Sequence, residues 1–399
     1  MRTGPLMPGR WRAGGVHARL AATTCLILLL VGGLAEPIDA QRLAPDEPLI
    51  DGPLAFADAP PEVDADAWLL MDVATGQVLA EHAGDERRPV ASTIKVLTAL
   101  TVLSRADLDD RVTVGDEVLV GGASVDLRPG DEWSVEQLLD ALIARSGNDA
   151  AEALAVHVAG DMEAFVELMI EDARALGLDE VVLTEASGLA DGNEVSAHDL
   201  AVISQVALTD PEARPLFGRA EVDLPEVGTV ASRNELLGAY PGATGVKTGY
   251  TAAAGFGLVA SAERGERELI AVVLGAGEDP ARFQDAIALL DHGFEDYEPY
   301  ELAVDWSLLV AGGQQSLEAA VGPMVVPGGV EVGLDGLPPG TVTAGELPVT
   351  LTLDGHEVAD VEAWVGSGPA PAEGTAAVGR ALVDQAHRGM RRATAERVW

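Results

Sequence analysis

The chain is poor in lysine and in cysteine. Its 399 residues include two lysines, Lys95 and Lys247, and one cysteine, Cys25. The other basic side chains are arginines, which stay charged in proteins, whereas a buried lysine amine can become neutral. Cys25 lies in an apolar N-terminal stretch, so a chain cleaved after it would lack a cysteine nucleophile, disulfides and thiolate metal sites. The two retained lysines are therefore candidates for a specific chemical role.

Basic charge and paired histidines are also scarce, which excludes further classes of function. The formal net charge of −40 argues against a nucleic-acid partner, because a polyphosphate needs a basic surface. The seven histidines are scattered, without a pair at metal-ligand spacing or a glycine-flanked serine. A zinc peptidase and a serine–histidine–aspartate hydrolase therefore lack their parts, and we expect no metal and no cofactor. The acidic excess is interpreted as a solvated surface; a GC-rich or salt-adapted source would give the same composition.

The termini differ from the central part of the chain. A basic start, an uncharged stretch over 20–35 and small residues up to Ala40 predict an export signal over 1–40, with an uncleaved anchor as the alternative. A proline-rich, acidic linker is predicted over 41–64. The arginine-rich tail over 368–399 is consistent with an interfacial membrane helix or with a solvated helix. We therefore expect a protein exported to the cell envelope, with peripheral membrane contact through the tail as an open alternative.

Between the termini, the hydrophobic pattern predicts two domains of different type. A strand–turn–strand pattern over 67–80 is followed by helical spacing from Ser92 onward. Apolar runs at 258–260 and 269–274 flank a charged turn, which predicts an antiparallel sheet edged by helices. Alternating apolar residues over 349–363 then predict a small β-rich domain. The fold class is α+β, with a catalytic domain over 65–296 and the β-rich domain over 297–367.

Three short motifs follow one another along the catalytic domain. Ser92 and Lys95 are three residues apart at a predicted helix start, where the amine can reach the hydroxyl. Residues 146–148 (Ser-Gly-Asn) are predicted on a loop between helices, and residues 247–249 (Lys-Thr-Gly) on a strand. Each motif alone is weak, since a serine three residues before a lysine arises by chance about one time in fifteen. Their joint order and settings predict a serine acyl-transfer enzyme.

The residues around these motifs identify a family. The stretches 70–76, 87–95, 145–151 and 245–251 closely resemble low-molecular-mass penicillin-binding proteins, the D-alanyl-D-alanine carboxypeptidases. The resemblance covers about 65–296 and implies a β-lactamase/transpeptidase-like catalytic domain. One departure is Thr244, where many members carry an aspartate, so the local contacts there are open.

The resemblance also implies a role for each site residue. Ser92 would be the nucleophile, Lys95 the base and Ser146 the proton relay to the leaving amine. Substrate binding would involve four further residues, Asn148, Lys247, Thr248 and Tyr250, with the backbone N–H groups of Ser92 and Tyr250 forming an oxyanion hole. By family position, Arg233 and Arg282 would add positive charge near the substrate carboxylate, with a surface ion pair as the alternative for each.

The implied partners are the peptidoglycan stem peptide as substrate and β-lactam antibiotics as inhibitors. Two alternatives stay open at this point. A class A β-lactamase shares the motifs, but we find no convincing deacylating glutamate after Ser146, and the β-rich domain does not fit. A non-catalytic envelope-binding scaffold would be favoured by loss of Ser92, Lys95 or Lys247, all of which are present.

Overall fold

The computed structural model describes residues 52–54, 59–310, 313–330, 332–335 and 345–365. The predicted export signal and the arginine-rich tail lie outside these ranges, as does most of the predicted linker. The described residues fall into two compact units. One comprises 59–303 and 320–328, and the other comprises 304–319 and 329–365.

The larger unit alternates short strands with helices. The first half contains β1 (Ala67–Asp72), β2 (Val78–His82), β3 (Arg88–Pro89), a 3₁₀ turn (Ala91–Ile94), α1 (Lys95–Leu103), β4 (Arg111–Thr113), a second 3₁₀ turn (Asp116–Val118), β5 (Glu132–Ser134), α2 (Val135–Ala144), α3 (Asn148–Ala159) and α4 (Met162–Ala175). The second half contains β6 (Glu194–Val195), α5 (Ala197–Thr209), α6 (Arg214–Phe217), β7 (Glu221–Leu224), β8 (Gly228–Ala231), β9 (Ala243–Thr251), β10 (Gly255–Arg264), β11 (Arg267–Ala276) and α7 (Asp279–Asp296).

A five-stranded antiparallel sheet organises this unit, with the strand order β2-β1-β11-β10-β9. Successive side chains of a strand point to opposite faces. Accordingly, Leu69 and Met71 of β1 join one hydrophobic cluster, whereas Trp68 and Leu70 join the other. Helices α1 to α5 supply the first cluster and α7 the second. Because both faces are covered, the three central strands β1, β11 and β10 are apolar along most of their length.

Helix α2 brings the second motif into place. Its N-cap, Ser134, accepts a hydrogen bond from the backbone N–H of Gln137, and the Gln137 side chain accepts one from Ser134 N–H. This capping box fixes where the helix begins. The helix ends at Ala144, and α3 begins at Asn148, so Ser146 lies in the three-residue connection. Ser146 has a φ of +62°, a left-handed conformation that turns the chain sharply between the two helices.

The smaller unit is built from strands in its described part. Strands β12 (Tyr297–Val310) and β13 (Gly313–Pro327) pair with each other. The first residues of β12 and the last residues of β13 belong to the larger unit. A separate three-stranded sheet has the order β14 (Val332–Asp335), β15 (Gly345–Leu353), β16 (His356–Val365). Its last two strands form a hairpin around Asp354 and Gly355.

The predicted α+β fold class is confirmed. The predicted strand–turn–strand is the hairpin β1–β2, and the apolar runs at 258–260 and 269–274 are the centres of β10 and β11. Both strands are longer than their apolar runs, because Glu263 and Arg264 pair with residues 267–268 beyond the sheet core. The domain boundaries at 64, 296 and 367 stay predictions. Within the described ranges, none of the helices combines the length and apolar character needed to cross a membrane.

A core substitution in α2 tests how far the packing of this helix supports the fold. Leu138 is fully buried, whereas Leu119 is 70% exposed. We expect Leu138→Ala to lower the free energy of unfolding by about 2 to 5 kcal/mol, because truncation removes apolar contacts and leaves a cavity. Leu119→Ala is the matched control, with an expected change within about 0.5 kcal/mol. Urea unfolding followed by circular dichroism measures both, and equal stabilities would contradict the described packing of α2.

Candidate active site

The first motif places a hydroxyl and an amine in direct contact. Ser92 lies in the 3₁₀ turn that leads into α1, and Lys95 is the first residue of that helix. Lys95 Nζ is 2.9 Å from Ser92 Oγ, and Ser92 Oγ is 3.2 Å from the carbonyl oxygen of Ser187. One helical turn separates the two side chains, as the sequence spacing predicted.

The Lys95 amine is fully buried and surrounded by acceptors. Nζ donates to Ser92 Oγ, to Asn148 Oδ1 at 2.8 Å and to the carbonyl oxygen of Ser187. Burial lowers the pKa of Lys95 to about 7, helped by the positive charge of Arg233 and opposed by the negative charges of Glu185 and Asp149. A neutral amine retains two N–H donors and gains a lone pair. Near pH 7, therefore, Lys95 can both donate a proton and accept one.

The second motif contributes side chains from the connection and from the start of α3. Ser146 is buried, and within the described part of the chain its Oγ makes no hydrogen bond. Asn148 was predicted on the loop but is the first residue of α3. The reason is that Gly147 serves as the N-cap, so the helix begins one residue later. The Asn148 side chain links α1 to the loop at Gly121. Its Oδ1 accepts from Lys95 Nζ, and its Nδ2 donates to the carbonyl oxygen of Gly121 at 2.9 Å.

The third motif lies on β9, the edge strand of the sheet, next to the Ser92 turn. A Cβ added to Gly249 would lie 3.2 Å from Ser92 N and 3.0 Å from Val90 O, so this close approach requires glycine. Lys247 is buried, and its Nζ donates to the carbonyl oxygen of Thr248 at 2.8 Å. Burial lowers the pKa of Lys247 well below its usual value, and the positive charges of Lys95, Arg233 and Arg282 add to this effect. Three cationic groups therefore act on one buried amine.

Tyr250 lies on this strand, and Arg282 packs against it from α7. Tyr250 is 56% exposed and its ring stacks on Phe256 at a centroid distance of 4.3 Å. Arg282 is buried, although the ion pair that it forms has an exposed partner. Its Nη1 donates to the carbonyl oxygen of Gly249 at 3.0 Å, and its Nη2 pairs with Asp279. Arg282 therefore anchors β9 to α7 and does not present a free guanidinium.

Arg233 differs from Arg282 in lacking a counter-charge. Its backbone N–H donates to the carbonyl oxygen of Ala144, which fixes the residue near the end of α2. Arg233 is an exposed residue, and partial desolvation together with the neighbouring Arg145 lowers the pKa of its guanidinium. Within the described ranges, neither Arg233 nor Lys247 has a carboxylate at ion-pair distance. The site thus has basic groups without an acidic partner, and a ligand carboxylate could serve as that partner.

Several functional neighbours were missed by sequence reasoning. The carbonyl oxygen of Ser187 reaches both Ser92 and Lys95, although 95 residues separate it from Ser92. Asp149 accepts hydrogen bonds from the backbone N–H groups of Val125 and Leu127 and from the hydroxyl of Ser124, and so fixes the loop beside Asn148. Every residue has a backbone carbonyl, so the sequence does not indicate which one will lie in the site. Asp149 directly follows the second motif and could have been proposed from the sequence. Among the described residues, no group of three or more His, Cys, Asp or Glu side chains is placed to hold a metal ion.

Thr244, where the sequence departs from the family pattern, makes two side-chain hydrogen bonds. Its Oγ1 lies 2.7 Å from Glu268 Oε1 and 2.8 Å from Ser261 Oγ. The hydroxyl therefore links the beginning of β9 to β10 and β11.

Comparisons with known proteins agree with this geometry. The family model described as D-alanyl-D-alanine carboxypeptidase, peptidase family S11, matches residues 54–278. The chain belongs to this family. It is 40% identical over 253 residues to the D-alanyl-D-alanine carboxypeptidase DacC of Escherichia coli K12, covering 60% of this chain and 63% of that relative. The chain thus matches somewhat less than two thirds of the length of DacC.

Solved structures show the same fold. Penicillin-binding protein 6B from Escherichia coli superimposes with a TM-score of 0.65 at 32% identity, covering 78% of this chain and 99% of the other. Penicillin-binding protein D2 from Listeria monocytogenes, in its ampicillin-bound form, superimposes with a TM-score of 0.55 at 29% identity, covering 60% and 100%. The resemblance to low-molecular-mass penicillin-binding proteins is confirmed.

The lowered pKa of Lys95 predicts a pH-dependent rate of acylation. A lysine base must be neutral to accept a proton, so the rate should be full well above pH 7 and fall as the pH drops through about 7. The measurement is the second-order rate constant for labelling by a fluorescent penicillin between pH 5.5 and 9.5. Circular dichroism over the same range is the control for folding. A rate that is independent of pH over this range would contradict Lys95 as the base.

Proposed function

We propose that this chain is a serine D-alanyl-D-alanine carboxypeptidase that removes the terminal D-alanine from peptidoglycan stem peptides. The observation that carries the proposal is the 2.9 Å contact between Ser92 Oγ and a buried Lys95 amine whose pKa is lowered to about 7. Membership of the carboxypeptidase family supports the reaction class and the substrate class. The roles of the individual residues are part of the proposal.

Acylation begins at Ser92. With Lys95 neutral, its lone pair accepts the Ser92 hydroxyl proton while Oγ attacks the carbonyl carbon between the two terminal D-alanines. The remaining N–H donors of Lys95 still have the acceptors Asn148 Oδ1 and Ser187 O. These two acceptors leave one direction for the lone pair, towards Ser92 Oγ. Lys95 is thus oriented as a base as well as partly neutralised.

The developing oxyanion needs donors beside Ser92. We assign these to the backbone N–H groups of Ser92 and Tyr250, because Gly249, directly before Tyr250, lies against the backbone of the Ser92 turn. Such a donor is typically worth about 3 to 4 kcal/mol in the transition state. Ser146, a buried residue in the connection before Asn148, would pass a proton to the leaving D-alanine amine. Water then hydrolyses the acyl-enzyme, which restores the Ser92 hydroxyl.

The substrate carboxylate would be bound by the unpaired positive charge. Arg233 supplies a cation without a described counter-charge, and the Thr248 hydroxyl supplies a hydrogen-bond donor on β9. The Lys247 amine, whose pKa is lowered, would be protonated when the carboxylate lies beside it, because a neighbouring anion favours the charged form. Asn148 would orient the substrate amide with Nδ2, at the cost of its bond to the Gly121 carbonyl oxygen. A terminal carboxylate is what distinguishes the end of a stem peptide from an internal peptide bond. This charge pattern therefore favours carboxypeptidase activity.

The same site would bind β-lactam antibiotics, as the ampicillin-bound form of penicillin-binding protein D2 shows for that protein. Peptidoglycan as substrate implies a location outside the cytoplasmic membrane, which agrees with the export signal predicted over 1–40. Membrane contact through the tail over 368–399 is a further part of the proposal. Both segments lie outside the described residues.

A β-lactamase is the second candidate, and one residue bears on it. Glu185 follows Ser146 in the chain and is close enough to Lys95 to affect its pKa, although sequence reasoning found no convincing glutamate there. Its Oε2, however, accepts from the backbone N–H of Ser187 at 2.6 Å and from its hydroxyl at 2.5 Å. A carboxylate occupied in this way is poorly placed to activate a deacylating water. Turnover of nitrocefin without accumulation of the acyl-enzyme would favour the β-lactamase.

The test of the proposed function is release of free D-alanine from a peptide that ends in D-Ala-D-Ala. We expect the parent chain to release D-alanine and Ser92→Ala to release none, because the variant has no nucleophile. Intact-mass spectrometry after incubation with penicillin should show an adduct on the parent only. Ser104→Ala, a hydroxyl removed from the far end of α1, is the matched control and should retain activity. Release by Ser92→Ala at the parent rate, or by neither folded protein, would contradict the proposal.

Arg233→Ala tests the recognition of the carboxylate. Loss of a charge-assisted contact is typically worth about 1.5 to 3 kcal/mol, so we expect KM for the D-Ala-D-Ala peptide to rise at least about tenfold with a smaller change in kcat. Arg128→Ala removes an exposed arginine elsewhere and controls for the change in net charge. Steady-state kinetics measures both. An unchanged KM in Arg233→Ala would remove Arg233 from the binding site.

A further inference from the structure

The segment 184–189 is fixed at its start and in its middle, and it carries the carbonyl group that contacts Ser92 and Lys95. At its start, Asn193 Oδ1 accepts from the backbone N–H of Thr184 at 2.7 Å, and Asn193 Nδ2 donates to the carbonyl oxygen of Glu185 at 2.9 Å. In the middle, Thr98 Oγ1, from the same helix as Lys95, donates to the carbonyl oxygen of Ala186 at 2.7 Å. These contacts leave the segment little freedom.

Gly188 shows how closely this segment approaches the nucleophile. It has a φ of +71°, and an added Cβ would overlap the carbonyl group of Ala91, directly before Ser92. Ser187, one residue earlier, is buried and directs its carbonyl oxygen at Lys95 Nζ and Ser92 Oγ. A small rotation of the Ser187 peptide would therefore change the geometry of both catalytic side chains.

The Glu185 side chain holds this peptide in place. Its Oε2 accepts two hydrogen bonds from one residue, from Ser187 N–H at 2.6 Å and from Ser187 Oγ at 2.5 Å. Ser187 Oγ in turn accepts from the backbone N–H of Leu189 at 3.2 Å. The carboxylate thus closes a compact turn, and the Ser187 carbonyl points out of this turn towards Lys95 and Ser92. Hydrogen bonds to a carboxylate are stronger than those between neutral groups.

Building on the proposed serine chemistry, we propose that Glu185 is a positioning residue: by holding Ser187, it directs the Ser187 carbonyl at Lys95 and so aims the neutral amine's lone pair at Ser92 Oγ. In the acylation step the Ser92 hydroxyl proton moves to that lone pair as the bond from Oγ to the substrate carbonyl carbon forms. Glu185 itself takes no proton. Its effect on the reaction is geometric and electrostatic.

The electrostatic part depends on all the charges that face Lys95. Glu185 and Asp149 raise the pKa of Lys95, and Arg233 lowers it. Lys247 faces the same space from β9, and its own pKa is lowered by Lys95. Glu152 is the charged group that faces Glu185 from α3, because Glu185 contributes to raising the pKa of Glu152. Removing the charge of Glu185 leaves Asp149 as the described anion that acts on Lys95.

Two variants of Glu185 separate geometry from charge. Glu185→Gln retains an oxygen acceptor for Ser187 but loses the charge, so the plateau rate of penicillin acylation should stay within about threefold of the parent. Its acidic limb should move to lower pH, because a charge that raises the pKa of Lys95 is gone. Glu185→Ala loses both the acceptor for Ser187 and the negative charge that acts on Lys95. Its plateau rate should fall at least about tenfold, since a general base is typically worth about 10²- to 10⁴-fold.

Ser187→Ala is the complementary variant, and it provides a second test where Glu185→Ala fails to fold. It retains the backbone N–H bond to Glu185 and the charge but loses the hydroxyl bond. We expect a reduced plateau rate with an unmoved acidic limb. Glu180→Gln removes an exposed carboxylate near the same segment and should change neither quantity. Fluorescent-penicillin labelling between pH 5.5 and 9.5, with thermal unfolding of each variant, measures the whole set.

The outcomes distinguish this inference from the proposed function. If the parent is acylated but releases no D-alanine, the carboxypeptidase proposal fails while the comparison of variants still reports on Glu185. The inference is overturned if folded Glu185→Ala has the plateau rate of the parent. It is also overturned if Glu185→Gln loses rate as fully as Glu185→Ala with no movement of the acidic limb.

Discussion

The rest of the site depends on the burial of the Lys95 amine against the Ser92 hydroxyl. An ordinary lysine has a pKa near 10.4 and is a cation at neutral pH, when it has no lone pair to offer. Complete burial disfavours the charged form, and the pKa of Lys95 falls to about 7. The contact of 2.9 Å then joins a partly neutral amine to a hydroxyl, which is the arrangement that the proposed mechanism requires. The neighbouring segments bury the Lys95 amine, and the charges of Glu185, Asp149 and Arg233 adjust its pKa.

The fold gathers four separate parts of the chain around that contact. The 3₁₀ turn and α1 supply Ser92 and Lys95, the connection between α2 and α3 and the start of α3 supply Ser146 and Asn148, and edge strand β9 supplies Lys247. The segment 184–189 supplies the Ser187 carbonyl. An edge strand is suited to this use, because its outer side has no neighbouring strand within the five-stranded sheet. Arg282, bound to the carbonyl oxygen of Gly249, helps to hold that strand in position.

Much of the site could be predicted from the sequence, because several of its residues lie close together in the chain. Ser92 and Lys95 meet through one helical turn, and the scarcity of lysine draws attention to Lys95 and Lys247. Ser187 could not be predicted, because it acts through a carbonyl group that every residue has. The buried position of Arg282 was missed for a related reason, since two of its three partners are the carbonyl oxygens of Gly249 and Gly257. Side-chain chemistry is visible in a sequence, whereas contacts to the backbone appear only when distant segments are packed together.

The small number of lysines permits a direct test of the central claim. Labelling the lysine side chains with ¹³C at Cε gives two resonances, and Lys95→Arg assigns them by removing one. A pH titration by nuclear magnetic resonance should show the Lys95 signal changing near pH 7 and the Lys247 signal changing well below its usual pH. Two resonances that both titrate near pH 10.4, the value of an ordinary lysine, would contradict a buried neutral amine as the base.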